Sequence, residues 1–217
     1  MIDPFRLCVA VGPLALYCLL LGVINLWRRP LILTGAKDLA FLALAVTGLV
    51  VVGPLELFMP DAAVARFGGY VWLLLLSFYG LTVSLAILLS RPRLVIYNIT
   101  TEQLRPVVAD LAPKLDAQTR WAGDSLAMPE LGVQLHIDNF PPLRNVSLVA
   151  NGERQNFDGW RRLEKALAES LRMTRVAMLP RGLTLITAGL LLLALCLIES
   201  LGNPQALAHG MTDLLRL

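Results

Sequence analysis

Charged residues are scarce in this chain. Only 16% of its 217 residues are Asp, Glu, Lys or Arg, whereas 56% are hydrophobic, and the mean hydropathy is +0.65. Soluble domains usually carry roughly 25% charged residues. The sequence therefore predicts an integral membrane protein. A net charge of +3, without a basic stripe that interleaves aromatic residues, also excludes nucleic acid as a partner.

Cysteine and histidine are scarce as well. The three cysteines, Cys8, Cys18 and Cys196, all lie inside apolar runs and form no CxxC pair, which argues against a disulfide framework or a zinc site. The apolar runs contain no histidine, which excludes haem held by two histidines inside the membrane. No glycine-rich phosphate loop, HExxH or nucleophile elbow is present either. We predict no catalytic residue, no cofactor and no metal, and hence no enzyme.

Long apolar runs dominate what is present. They cover residues 7–27, 39–59, 70–89 and 183–201, and each has about the length that a helix needs to cross ~30 Å of hydrocarbon. Two arginines follow the first run directly, which is a stop-transfer pattern and not that of a cleaved signal peptide. Residues 1–90 are therefore predicted to hold three transmembrane helices. Residues 182–217 hold the fourth and a short amphipathic tail, with Asn203 as its predicted cap.

A few polar residues interrupt these runs. Asp38 is predicted to cap the second transmembrane helix, and Glu56 near its end is interpreted as an interfacial carboxylate. In the third, Ser77 and Ser84 lie near one helix face, and we interpret them as a surface for close helix packing. The alternative is a polar path for a transported substrate, formed with Tyr79 and Thr82.

The polar stretch 91–181 reads as a small soluble domain. Residues 93–97 predict a strand, and Thr100 with Gln103 fits a capping box at the start of a helix. Pro106 and Pro113 are expected to interrupt that helix.

Further along the same stretch, turn residues separate several short strands. Val133, Leu135 and Ile137 alternate with Gln134, His136 and Asp138, which is typical of a half-buried strand. A second helix is predicted to follow from Phe157 onward. Four residues form its apolar face: Trp160, Leu163, Leu167 and Leu171. The predicted order is β-α-β-β-β-α, a two-layer α+β sandwich that is ferredoxin-like in topology only. The predicted fold class is thus a membrane all-α protein with four transmembrane helices and an inserted small α+β domain.

The distribution of Lys and Arg predicts the topology. The first loop and the 91–181 domain are flanked by a consistent basic set: Arg28, Arg29, Lys37, Arg91, Arg93, Arg172, Arg175 and Arg181. The opposite side mixes acidic and basic residues. By the positive-inside rule, the 91–181 domain is cytoplasmic and both termini lie outside, with a bacterial inner membrane as the simplest host.

His136 is the one histidine of the domain, and with Asp124, Glu130 and Asp138 it suggests a metal or acid–base site. A solvated sheet face explains His136 and Asp138 fully, because they share the outward face of one strand with Gln134, and we favour that interpretation. The arginines near the ends of the domain either bind anionic headgroups or an acidic partner, or act only as topology determinants.

These patterns lead to a functional hypothesis. The chain is expected to present a non-catalytic cytoplasmic domain for interaction with a protein or with lipid headgroups, as a scaffold, regulator or complex subunit. Its predicted partners are membrane lipids, a protein bound through residues 91–181, and further copies of the chain. One alternative is an oligomeric transporter or channel component that uses the polar third helix, and a weaker one is a membrane enzyme that uses His136 and Asp138.

Overall fold

The computed structural model describes residues 4–57, 59–141, 144–152, 155–176, 181–202 and 204–215. The chain divides into two compact units. The helical unit comprises residues 1–22, 39–89 and 183–217. The sheet unit comprises residues 23–38 and 90–182. Each unit is described in turn.

Four helices are long and apolar enough to cross a membrane, as the sequence predicts. Helix α1 spans Pro4–Leu26, and α2 spans Gly35–Val50 and continues as a π-helical turn over Val51–Leu55. Helix α4 spans Tyr70–Leu89, and α7 spans Arg181–Gly202. The chain is thus a multi-pass membrane protein by helix length and composition.

Two shorter helices complete the described part of the helical unit. Helix α3 spans Asp61–Phe67 in the stretch between the second and third apolar helices. Helix α8 spans Pro204–Leu215 and forms the C-terminal tail. Asn203, the predicted cap of α8, lies outside the described residues.

Glycines let the apolar helices approach closely. A Cβ on Gly48 of α2 would lie 1.8 Å from the carbonyl oxygen of Val9 in α1, so only hydrogen fits there. A Cβ on Gly189 of α7 would lie 2.9 Å from the carbonyl oxygen of Ala15, also in α1. Helix α1 therefore packs backbone-close against both α2 and α7, as small residues permit in membrane helices.

The sheet unit is built on one six-stranded antiparallel sheet, with strand order β1-β2-β6-β5-β4-β3. The strands have the following bounds: β1 Leu31–Thr34, β2 Arg93–Tyr97, β3 Arg120–Ala122, β4 Ser125–Met128, β5 Val133–Phe140 and β6 Asn145–Ala150. Two helices complete the unit, α5 over Thr101–Leu115 and α6 over Phe157–Arg172.

The strand order corrects the prediction in two ways. Four strands, and not three, lie between α5 and α6, so the order after α4 is β-α-β-β-β-β-α. In addition, β1 lies in the short connection between α1 and α2, where the sequence predicts a loop. Its backbone pairs with β2 from Leu31 opposite Tyr97 to Thr34 opposite Leu94. The likeness to the β-α-β-β-α-β ferredoxin-like topology does not hold, because four strands follow α5 and pair in chain order as a meander, β3-β4-β5-β6.

The core lies between one face of the sheet and the two helices. Val133, Leu135 and Ile137 of β5 are buried and their intervening neighbours are exposed, so the predicted alternation is confirmed. The sheet's core face packs on buried residues from both helices: Leu104, Val108, Ala112, Trp160, Leu163, Leu167 and Leu171. This arrangement is a layer of helices on one face of a sheet.

Helix α5 runs unbroken through both of its prolines, contrary to the prediction. The capping box is present as expected, with the Thr100 side chain accepting from the Gln103 backbone and Gln103 reaching back. Pro106 and Pro113 both lie on the exposed face of the helix. The carbonyls that lose a donor there can bond to water, while the buried face keeps its own hydrogen bonds.

A buried carboxylate holds the connection that follows α5. Asp116 is 1% exposed, and its oxygens accept backbone N–H groups of Gln118, Glu130 and Leu131 at 2.8, 2.7 and 3.2 Å. Hydrogen bonds to the charged form allow a carboxylate to be buried. Asp116 therefore fixes the turn before β5 to the end of α5.

Candidate functional site

Two distant segments of the sheet unit meet at one backbone hydrogen bond. The Val176 N–H donates to the carbonyl oxygen of Arg28 at 3.0 Å, across 148 residues of sequence. The side chain of Asn98 donates to the carbonyl oxygen of Trp27, the neighbouring residue. Val176 and Asn98 are both buried, so these bonds fix the segment after α1 to the segment after α6 and to the residue that follows β2.

The side chains beside this bond form an exposed basic surface. We call it the arginine patch, and it consists of six residues: Trp27, Arg28, Arg29, Arg172, Met173 and Arg175. All six are exposed, Met173 by 88% and Trp27 by 61%. Within the described part of the chain, none of the four arginines forms an ion pair or a side-chain hydrogen bond.

The chemistry of the arginine patch suits an anion that borders an apolar phase. A guanidinium group offers several N–H donors in a planar fork, which matches the oxygens of a phosphate. Trp is enriched where water meets the membrane, because its ring is apolar and its N–H is polar. The patch thus combines donors for an anion with exposed apolar side chains.

A second polar cluster joins the start of α2 to the sheet. The carboxylate of Asp38 accepts from the guanidinium of Arg93 at 3.0 Å and from the hydroxyl of Tyr97. Arg93 fits there because a Cβ on Gly35 would lie 2.2 Å from its Cγ. The prediction that Asp38 caps the second helix is wrong, because α2 already begins at Gly35 and Asp38 lies within its first turn.

His136 lies on the outer face of the sheet, where the sequence places it. Asp138 and Gln134, on the same strand, are exposed with it. Its Nδ1 lies 3.1 Å from the hydroxyl of Ser125, which is its direct neighbour on β4, and Val149 is its neighbour on β6. Ser125 was not among the candidate residues, because pairing between strands is not visible in sequence spacing.

This outer face carries polar side chains rather than a metal site. Over the described residues, no group of three or more His, Cys, Asp or Glu side chains could hold a metal ion. Exposed groups along β5 continue as far as Phe140, which is 54% exposed. The face therefore offers hydrogen-bonding groups and one aromatic ring to a partner.

Glu56 has a partner within the helical unit. Its Oε1 lies 2.6 Å from Nη2 of Arg6, and the Glu56 side chain is 18% exposed. The sequence predicts an interfacial carboxylate, and the ion pair adds a specific neighbour that sequence spacing does not reveal. Helix α1 begins at Pro4 and Glu56 follows the π-helical turn, so the pair links the start of α1 to the end of the α2 span.

The hydroxyls of α4 are mostly bonded within their own helix. Ser77, Thr82 and Ser84 donate to carbonyl oxygens four residues earlier, at 2.7–2.9 Å. All three are exposed, so within the described part of the chain this face packs against no other helix, and its predicted role in helix packing stays a prediction. Tyr79 differs, because its hydroxyl donates to the Ala43 carbonyl oxygen of α2 at 2.8 Å.

Comparisons with known proteins add no relative to this geometry. No protein-family model, no curated protein and no solved structure matches the chain.

Proposed function

We propose that this multi-pass protein lies in the inner membrane and presents a non-catalytic cytoplasmic α+β domain for interaction with a protein or with lipid headgroups. One observation carries the proposal. The sheet takes its edge strand, β1, from the connection between two apolar helices. The domain is therefore part of the chain path between the spans, and is not a module on a free linker.

Strand β1 is directly continuous with α2. Strand β1 ends at Thr34 and α2 begins at Gly35, without a loop between them. The contacts of Asp38 with Arg93 and Tyr97 strengthen this connection. The first turn of α2 therefore belongs to the same compact unit as the sheet. Contacts within that unit that are formed before binding suit the presentation of one surface to a partner, since less ordering entropy is lost on binding.

The orientation is proposed from the charges at the helix ends. The chain passes between the two units near residues 22, 38, 89 and 182, and basic residues lie on the sheet-unit side of each of these four positions. The positive-inside rule then assigns the sheet unit to the cytoplasm and both termini to the outside.

The outer face of the sheet is the surface proposed for a protein partner. It presents Gln134, His136 and Asp138 from β5, together with the ring of Phe140. An exposed aromatic ring with polar groups around it is the composition that protein interfaces favour. The bond between His136 and Ser125 keeps the histidine in one orientation, which favours recognition.

Purification of the tagged full chain in a mild detergent tests the proposal. We expect a second protein in stoichiometric amount. The double variant Gln134→Arg with Asp138→Arg should reduce its recovery at least about tenfold, since like-charge or steric mismatch in an interface costs several kcal/mol. The matched control, Glu102→Arg with Ala109→Arg, changes the exposed face of α5 and should keep the partner.

Two results would overturn the protein-binding form of the proposal. The first is a homo-oligomer of the wild-type chain with no second protein. The second is an equal loss of the partner in the outer-face variant and in the control. His136→Ala separates the enzyme alternative, because it should remove a cellular activity only if the histidine takes part in chemistry.

A further inference from the structure

We infer that the arginine patch binds the headgroup phosphates of anionic phospholipids. The inference deepens the proposed function, and it rests on that function in one respect: the patch must face the cytoplasmic leaflet. It names the ligand class as a lipid and the binding residues as those around Arg28 and Arg175.

The first argument is charge. Four exposed arginines lie on the two segments joined by the Val176–Arg28 hydrogen bond, and none of them is neutralised within the described residues. Two other arginines of the sheet unit are paired within it: Arg93 with Asp38 at 3.0 Å and Arg105 with Asp124 at 3.2 Å. A group of arginines left unpaired on one surface attracts an anion.

The second argument is the apolar part of the patch. Trp27 and Met173 are exposed beside the arginines, which is costly if they face only water. Trp27 directly follows the last residue of α1, and the segment that carries Met173 leads on to α7. A lipid offers a phosphate to the guanidinium groups and an apolar phase to the Trp and Met side chains.

The third argument is the fixed arrangement. The membrane topology of a chain depends on how many Lys and Arg residues lie near the ends of its spans, and not on how those residues are arranged in space. Here the buried Asn98 and Val176 hold the backbone of residues 27 and 28 by hydrogen bonds. The two segments that carry the arginines are therefore held together before a ligand arrives, which favours a bound lipid over a diffuse ion atmosphere.

Native mass spectrometry of the full chain in a non-ionic detergent tests the inference. The protein is titrated with an equimolar mixture of phosphatidylglycerol and phosphatidylcholine, and the bound copies of each are counted. We expect phosphatidylglycerol to bind preferentially. The double variant Arg28→Gln with Arg175→Gln should bind it roughly 25-fold more weakly, since a basic residue near an anionic surface contributes about a fivefold factor.

Two further variants make the result specific. The double variant Arg120→Gln with Arg162→Gln removes two exposed arginines outside the patch and should bind as the wild type does. Arg28→Lys with Arg175→Lys retains the charge and should recover most of the binding, which also shows that the patch tolerates substitution. The exposure of these side chains predicts unchanged unfolding temperatures in lipid-free detergent.

Several results would overturn the inference. These are equal binding of the two lipids, equal binding by the Arg28/Arg175 and Arg120/Arg162 variants, and full displacement of the lipid by millimolar inorganic phosphate. An acidic protein that binds in a patch-dependent manner and excludes the lipid would overturn it as well. Failure of this inference can be told apart from failure of the proposed function. Substitution of Gln134 and Asp138 tests binding of the protein partner, whereas substitution of Arg28 and Arg175 tests binding of the lipid.

Discussion

Leucine is buried in one unit of this protein and exposed in the other. In the sheet unit, Leu163 and Leu167 of α6 are 0% exposed and pack in a single core. In the helical unit, Leu74 of α4 and Leu191 of α7 are each 70% exposed. The same side chain therefore has opposite roles, filling a core in one unit and facing the surroundings in the other.

The two units are consequently held together by different contacts. Burial of large apolar side chains stabilises the sheet unit by removing them from contact with solvent. In a bilayer that driving force between helices is absent, since the lipid tails are as apolar as leucine. The helical unit relies on close backbone approach at Gly48 and Gly189 and on a few polar bonds, such as that from Tyr79 to the Ala43 carbonyl.

The same leucine-to-alanine substitution, made once in each unit, tests this difference between the units most directly. Leu163→Ala should lower the free energy of unfolding by about 2–5 kcal/mol, because it leaves a cavity in a closed core. Leu191→Ala should change it by less than about 0.5 kcal/mol, as expected for an exposed side chain. Denaturant unfolding in detergent, followed by tryptophan fluorescence, measures both. Equal effects would mean that the two units do not differ in this way.

Glycine to alanine exchanges test the packing of the helical unit. Gly48→Ala places a methyl group 1.8 Å from the Val9 carbonyl oxygen, so α1 and α2 must separate, at a cost of about 1–3 kcal/mol. Gly80→Ala in α4 is the control, because nothing lies within 4 Å of its Cβ position. Thermal unfolding of the two variants in the same detergent checks the prediction, and an unchanged melting temperature for Gly48→Ala would contradict it.

The smallest expected effect concerns two hydroxyls of α4. Tyr79→Phe removes the bond to the Ala43 carbonyl oxygen and should cost about 0.6 kcal/mol, as such bonds do between membrane helices. Ser77→Ala removes only a bond within its own helix and should leave stability nearly unchanged.

The Ser77→Ala and Ser84→Ala variants also test transport in reconstituted vesicles: loss of a flux with stability retained would favour the transporter alternative.

Sequence patterns were sufficient where one short segment determines its own structure. The capping box at Thr100 and Gln103, the alternation along β5 and the apolar face of α6 all follow from local spacing. Pro106 and Pro113 show the limit of such reasoning. Their effect on a helix depends on whether the lost hydrogen bonds face water, which is decided by packing and not by the residue type.

Contacts between distant segments were not predictable in the same way. Strand β1 has only four residues, and all but Thr34 are apolar. It directly precedes a long apolar helix. Neither its length nor its hydrophobic periodicity therefore distinguishes it from a loop in the sequence. The basic residues of the arginine patch were visible individually. Their proximity in the folded chain could not be predicted, because it depends on a backbone hydrogen bond between residues 28 and 176. The same holds for the pairs Asp38–Arg93 and Arg6–Glu56.

The position of β1 also has a consequence for synthesis. Leu31 is synthesised 66 residues before its partner Tyr97, and two apolar helices, α2 and α4, are made in that interval. At about 5–20 residues per second, the strand remains without its partner for roughly 3–13 seconds. The edge of the sheet therefore closes only after both intervening apolar helices have been synthesised.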